Sequence, residues 1–307
     1  MRIIFFGMFG NLSRLPLAAL IAAGVDVVGV VVPADRVPPY LLGDNGRSTT
    51  PIVPIQPART TLNLFAPEAN ASTLELAAGN QIPAFGVYDL SAEITLTMLR
   101  ALLPDLICVS CFPRKLPPAI LQLPRFGCLN VHPSLLPYFR GPAPLFWTFQ
   151  RGVRQTGVTI HWMDEAFDTG DIALQQSLTL PDGISYDEAE QLLAKMGGDL
   201  LVEAVRRAAD GTLPRQPQPE GFAADPWPRE ADFALHTHWP VRRVFNFIRG
   251  TAVWERPYFV TIDGQSIRLR HAVAYHLGQK LSQPLMPHGR NLAIQFSDGV
   301  LQTVVEV

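Results

Sequence analysis

"RIIFFGMFGNLSRLPLAALIAAGVDVVGVVVP", residues 2–33, is the stretch on which the fold turns. Arg2–Phe6 is a short, mostly apolar run rich in β formers and stops at Gly7. "NLSRLPLAALIAAG" follows with helical spacing and ends on Gly24, the residue type that closes helices in a left-handed conformation. Asp26–Pro33 is again apolar, now with five valines in the six positions before the proline. Strand, helix and buried strand in succession form a βαβ unit, whose crossover makes the two strands parallel.

The alternation continues outward. Helical patterns run from about Pro67 to Gly79 and from Ser91 to Leu103, and "DLICVSC" (Asp105–Cys111) reads as a buried strand. A short helix over Pro117–Leu123 and the strand "GCLNVH" (Gly127–His132) follow. Next come a helix over Pro144–Gly152 and two strands, Thr156–Met163 and Ile172–Leu180, joined by the acidic loop "DEAFDTGD". Ser185–Ala209 is a long amphipathic helix, with Ser185 as N-cap and Glu188 at the capping-box position. Residues 34–57 carry several prolines and are expected as a long loop. The fold class is thus α/β, a Rossmann-like, mostly parallel sheet over residues 1–211.

Beyond Gly211 the pattern changes. "TLPRQPQPEGFAADPWPRE" is too rich in proline for helix or central strand, so residues 212–228 are expected as a linker. A short helix over Val241–Ile248 and the β-like runs "PYFVTI", "SIRLRHAVAY", "NLAIQF" and "VLQTVVEV" then predict a small β-rich domain over 229–307, an OB-like barrel.

Composition narrows the function. At 307 residues, with 48% hydrophobic and 17% charged, the chain has the makeup of a globular protein with room for two domains. A net charge of −2 gives no global attraction for nucleic acid or anionic lipid. No apolar run reaches the roughly 18 residues of a membrane span, and the opening lacks a cleavage site, so a cytoplasmic location is the default. Three cysteines argue against a disulfide scaffold.

The chemistry concentrates at "NVHPSLLPYFRG", residues 130–141. Side chains alternate along a strand, so Asn130 and His132 share one face and Val131 takes the other. Pro133 cannot continue a central ladder, so the pair sits at the strand's carboxyl end, where open α/β sheets bind ligands. An amide donor and an imidazole there suit an oxyanion and a proton transfer near neutral pH. The plainer alternative is a polar strand end with a hydrogen-bonded core histidine. A carboxylate from Asp164–Asp171 could orient His132 and raise its pKa, although Asp and Gly are ordinary turn residues. Cys108, Cys111 and Cys128 beside His132 would sketch a zinc site, but small apolar residues on buried strands explain them equally, and no metal is expected. Gly7 and Gly10 fall short of a dinucleotide fingerprint.

"LNVHPSLLPYFRGPAPLFW" and "TGVTIHWMDEAFDTGDIALQQ", at this separation, resemble the formyltransferases that use 10-formyltetrahydrofolate. "GFAADPWPREADFALHTHWPVRRVFNFIRG" and "ERPYFVTIDGQSIRLRHA" look like the carboxyl-terminal domain of the methionyl-tRNA members. The resemblance implies Asn130, His132 and Asp168 as the catalytic trio, with Thr159 and Ser134 in support. It places the folate at two loops, Phe112, Pro113, Arg114, Lys115 and Leu116, and Asp164, Glu165, Ala166 and Phe167. Gly10 and Asn11, in the loop after the first strand, and Arg140 and Gly141 are expected near the acceptor. The implied partners are the folate co-substrate, no metal, and an amine, first among them initiator methionyl-tRNA, which would give a role in translation initiation. The 34–57 loop sets Arg36 and Arg47 against Asp35 and Asp44, which leaves little charge to grip an acceptor stem, so an amino-sugar nucleotide stays open as acceptor. Glycinamide ribonucleotide is a third choice, and a catalytically silent folate-binding module is the alternative of a different class. Oligomeric state is not legible.

Overall fold

The computed structural model describes residues 1–38, 41–42, 50–55 and 72–305. They divide into two compact units. The first comprises Met1–Arg140, Gly157–Gln176 and Gln191–Ala224; the second comprises Gly141–Thr156, Ser177–Glu190 and Asp225–Val307.

The opening βαβ unit is present. β1 (Arg2–Gly7), α1 (Asn11–Ala22) and β2 (Asp26–Pro33) follow in order, and β1 lies parallel to β2. Gly24 closes the helix end at φ 71°, a left-handed backbone that costs glycine nothing. Ile3, Ile4, Phe5 and Phe6 have no exposed surface, as a strand covered on both faces requires.

The chain continues through β3 (Ile52–Pro54), α2 (Thr73–Gly79), β4 (Ala84–Val87), α3 (Glu93–Ala101), β5 (Leu106–Ser110), α4 (Pro118–Leu121) and β6 (Cys128–His132). Then come α5 (Pro144–Gln150), β7 (Gln155–Trp162), β8 (Ile172–Thr179) and α6 (Tyr186–Ala209). The eight strands stand in the order β3-β4-β2-β1-β5-β6-β7-β8. Neighbours from β4 to β6 pair in parallel, whereas β3 on β4 and β6 on β7 are antiparallel. Two strands depart from the sequence reading. β3 lies inside the expected 34–57 loop, and β4 is a four-residue strand interrupted by Gly86, too short to show a period. Residues 39–40, 43–49 and 56–71 of that loop and of the expected 67–79 helix lie outside the described residues.

The order of connection reverses at β1 and β5, which makes the crevice at their carboxyl ends the switch point of the sheet. Ser13 donates to the Ser110 carbonyl (2.6 Å) and accepts from the Met8 amide (2.8 Å), and the Ser110 hydroxyl donates to the Leu12 carbonyl. The loop after β1 is thereby tied to the end of β5.

α6 lies close on the sheet because of Gly197. A Cβ there would stand 2.7 Å from Val131, on the opposite face of β6 from Asn130 and His132. Ahead of the helix, the Ser185 hydroxyl accepts from the Glu188 amide (3.3 Å), and the Glu188 carboxylate accepts from the Ser185 amide (2.9 Å). This is the expected capping box.

The second unit contains α7 (Val241–Gly250), packed in an aromatic core. Phe247 meets Phe146 and Tyr258 edge-to-face at centroid separations of 5.7 and 5.5 Å. The predicted small β-rich part is a six-stranded sheet of β9 (Ala234–Leu235), β10 (Tyr258–Ile262), β11 (Gln265–Leu277), β12 (Leu285–His288), β13 (Asn291–Phe296) and β14 (Gly299–Val305). Their order is β12-β13-β14-β11-β10-β9. Asp263 and Gly264, both with positive φ (49° and 78°), turn β10 into β11 as a two-residue hairpin. Among the described residues no helix is long and apolar enough to cross a membrane.

The close approach at Gly197 is testable. Gly197→Leu should destabilise the protein by about 1–3 kcal/mol through overpacking, although leucine is the better helix former. Denaturant unfolding measures it; a stabilised variant would contradict the packing described.

Candidate active site

Strand pairing assembles the site. In the β6–β7 ladder Asn130 stands opposite His161, and His132 opposite Thr159. Alternation puts all four side chains on one face of two neighbouring strands. Asn130, His132, Ser134, Thr159, His161 and Asp168 all lie within the first unit.

His132 is 4% exposed. Its Nε2–H donates to the Phe139 carbonyl at 2.9 Å; a carbonyl only accepts, so that nitrogen carries the proton. Nδ1 is therefore the titrating nitrogen, and it faces Asp168 Oδ1 at 3.7 Å. Burial pushes the imidazole below its ordinary pKa and His161 adds to that, while the Asp168 carboxylate and the Phe139 carbonyl oppose it. The net direction is downward, so the ring is neutral at pH 7 with its Nδ1 lone pair toward Asp168.

Asn130 is oriented by a residue that the sequence reading quoted within its strand but did not select. His161 donates from Nδ1 to its neighbour's carbonyl, Trp162 O, at 2.9 Å, which leaves Nε2 as an acceptor. The Asn130 Nδ2 lies 3.0 Å from that Nε2, so the amide nitrogen must face it, with one hydrogen engaged and the other available. His161 Nε2 is also 3.5 Å from Asp168 Oδ1. The missed signal was alternation itself: His161 shares its strand face with Thr159, two residues earlier.

Thr159 and Ser134 hold the loop after β6. Thr159 Oγ1 donates to the Ser134 carbonyl (2.7 Å) and accepts from the Leu136 amide (3.1 Å) and from Gln175 Nε2 (2.9 Å). Ser134 Oγ donates to the Tyr138 carbonyl (2.8 Å). These bonds fix the turn that delivers the Phe139 carbonyl to His132.

The other expected residues are placed as follows. Phe112 packs edge-to-face on Phe6 at 5.3 Å, and Leu116 is buried. Arg114 is turned inward: it donates to the Val87 (3.2 Å) and Tyr88 (2.9 Å) carbonyls and pairs with Asp35. Pro113 lies exposed between them. Lys115 stands over the Phe167 ring at 5.4 Å, joining the two loops expected to hold the folate. Asp164 accepts from the Ala166 amide (3.0 Å) and the Thr169 hydroxyl (2.8 Å), and Glu165 is exposed. Gly10 is the N-cap of α1, and the Asn11 side-chain oxygen accepts from Arg14 (3.0 Å). Arg140, expected at the acceptor, is 6% exposed and turned onto Gln218 and the Phe222 carbonyl. Gly141 sits at φ 107° against the Asp225 backbone. Cys108 and Cys128 are buried, and burial pushes the Cys128 thiol up to about 12, far from the thiolate a metal would take.

A buried imidazole with one free nitrogen, an amide with one free hydrogen and a carboxylate facing the imidazole make a site for moving one proton beside one developing oxyanion. Comparisons with known proteins identify the family. The family model described as formyl transferase matches residues 1–205. The chain belongs to the formyl transferase family. The methionyl-tRNA formyltransferase of Pelotomaculum thermopropionicum is 33% identical over 298 residues, covering 96% of this chain and 86% of that protein. Among solved structures, an N-formyltransferase from Helicobacter canadensis in complex with folinic acid and dTDP-3-aminofucose shares the fold at TM-score 0.60 and 14% identity, covering 99% of both chains. HypX from Aquifex aeolicus in complex with tetrahydrofolic acid does so at TM-score 0.55 and 19% identity, over 99% of this chain and 43% of its own.

Gly170 provides a direct test of the acidic loop's placement. A Cβ there would lie 1.9 Å from the Trp162 carbonyl, so Gly170→Ala must push the loop that carries Asp168 away. Turnover in formyl transfer should fall about a hundredfold, the scale of a 1 Å misplacement. Wild-type turnover in this variant would show that the loop's position is not critical.

Proposed function

We propose that this formyl transferase moves the formyl group of 10-formyltetrahydrofolate to a primary amine, that of methionyl-tRNA. The observation that carries the acceptor is the relative above: 33% identity runs over 96% of the chain, and so includes the segments of both units. A cytoplasmic location accompanies that acceptor. An amino-sugar nucleotide is the second reading, favoured by charge. Within the described part of the 34–55 stretch, Asp35 pairs with Arg36 (4.0 Å) and with Arg114, leaving little cationic charge for a tRNA backbone.

The proposed mechanism uses the free valences of the site. The neutral amine attacks the formyl carbon, and a new C–N bond forms while the carbonyl oxygen becomes an oxyanion. The second hydrogen of Asn130 Nδ2 donates to that oxygen. His132 Nδ1, neutral at rest, accepts the proton leaving the amine, and Asp168 stabilises the imidazolium. The oxyanion collapses, the bond from carbon to N10 of the folate breaks, and the same proton passes from His132 to N10. His132 thus acts as base and then as acid; a carboxylate does act to raise its pKa, as the sequence reading had it, but burial outweighs that effect.

Three outcomes test the proposal. Asn130→Ala should lower kcat by about 10²–10³, as expected for one oxyanion donor, and His132→Ala by about 10²–10⁴. Because activity needs neutral His132 and burial lowers its pKa, kcat should hold down to below the ordinary imidazole value of about pH 6.5 and fall only beneath it. With 10-formyltetrahydrofolate, methionyl-tRNA should gain the mass of a formyl group while a dTDP-amino-sugar does not. Formylation of the sugar alone establishes the second reading, and transfer to neither acceptor refutes both.

A further inference from the structure

The mechanism leaves Asp168 to be held in a costly position. Its φ is 57°, in the left-handed region that a residue with a side chain seldom adopts. The loop is anchored at one end by Asp164, through Ala166 and Thr169, and at the other by the Trp162 amide donating to the Asp171 carbonyl (2.9 Å). Neither anchor touches the backbone of Asp168.

That contact comes from the proline-rich segment. Gln218 Nε2 donates to the Asp168 carbonyl at 2.9 Å and to the Gly170 carbonyl at 2.7 Å. Gln218 Oε1 accepts from Arg140 Nε (3.1 Å) and Nη2 (2.7 Å), and Arg140 Nη1 donates to the Phe222 carbonyl (2.8 Å). The orientation of the amide is unambiguous. A guanidinium only donates, so the glutamine oxygen must face Arg140 and both amide hydrogens must face the two carbonyls. Arg140 directly follows Phe139, whose carbonyl receives His132 Nε2. One side chain therefore spans the two loops that hold the two members of the His132–Asp168 pair. Around it the segment is pinned by Gln216 pairing with Ile172, by the Trp162 indole donating to the Pro214 carbonyl (2.9 Å), and by Arg215 over the Trp162 ring at 3.7 Å.

We propose that Gln218, buttressed by Arg140, is a positioning residue for formyl transfer: it clamps the backbone of Asp168 so that the carboxylate faces His132. The proposal rests on the roles given to His132 and Asp168 above. It makes Arg140 part of this clamp rather than an acceptor contact.

The decisive variant is Q218E. The new carboxylate keeps an acceptor for Arg140, now as an ion pair, but has no hydrogen for the two carbonyls and repels them. If Gln218 serves only to satisfy a buried arginine, Q218E is indistinguishable from wild type. If it positions Asp168, kcat falls between about tenfold and a hundredfold with both KM values unchanged. The acid limb of the kcat–pH profile also moves to lower pH, because the carboxylate that raises the His132 pKa has drifted away, leaving burial and His161 to lower it. Wild-type kcat and an unmoved acid limb overturn the proposal. Gln218 is half-buried on a surface segment, so Q218A gives a folded second variant; there a merely structural role lowers Tm and leaves the acid limb in place. His132→Ala runs alongside: if it stays active the underlying mechanism fails, and if it is inactive while Q218E is wild-type only the clamp fails.

Discussion

The structure depends on one hydrogen bond, from His132 Nε2 to the Phe139 carbonyl. It fixes the tautomer of a buried imidazole and so decides which nitrogen does chemistry. With Nε2 occupied, Nδ1 alone titrates, and it looks at Asp168. Burial keeps the ring neutral, and the carboxylate makes its charged form accessible during turnover. These two effects oppose each other, which is what a group that takes up and returns a proton requires.

Both partners of His132 come from backbone in sparsely populated conformations: Phe139 and Asp168 each have φ 57°. Such residues persist where the surroundings over-determine them. On one side Thr159, Ser134 and Gln175 grip the loop through Leu136 and Tyr138. On the other, Gln218 grips the acidic loop. The parallel sheet supplies the rigid reference for both, with Val131 seated beneath Gly197 while its neighbours Asn130 and His132 face away.

Much of this was legible in the sequence because it is local. Alternation and Pro133 located the Asn130–His132 pair, the apolar runs predicted the βαβ order, and Ser185 with Glu188 marked a helix start. What escaped is non-local. His161 required the β6–β7 register, which no single strand contains. Arg140 was expected near the acceptor, and no local pattern shows its burial against Gln218, 78 positions away. The proline run over 212–228 correctly signalled the absence of helix and central strand there, but prolines say nothing about side-chain contacts such as those of Gln218. β4 is too short to carry a period, and Gly86 interrupts what there is.

The tautomer and charge of His132 are the centre of the account, and nitrogen-15 NMR of selectively labelled protein reads both directly. At pH 7 the account predicts a neutral ring protonated on Nε2, gaining its second proton on Nδ1 only below the ordinary imidazole pKa. A ring already doubly protonated at pH 7, or a neutral ring protonated on Nδ1, would contradict it.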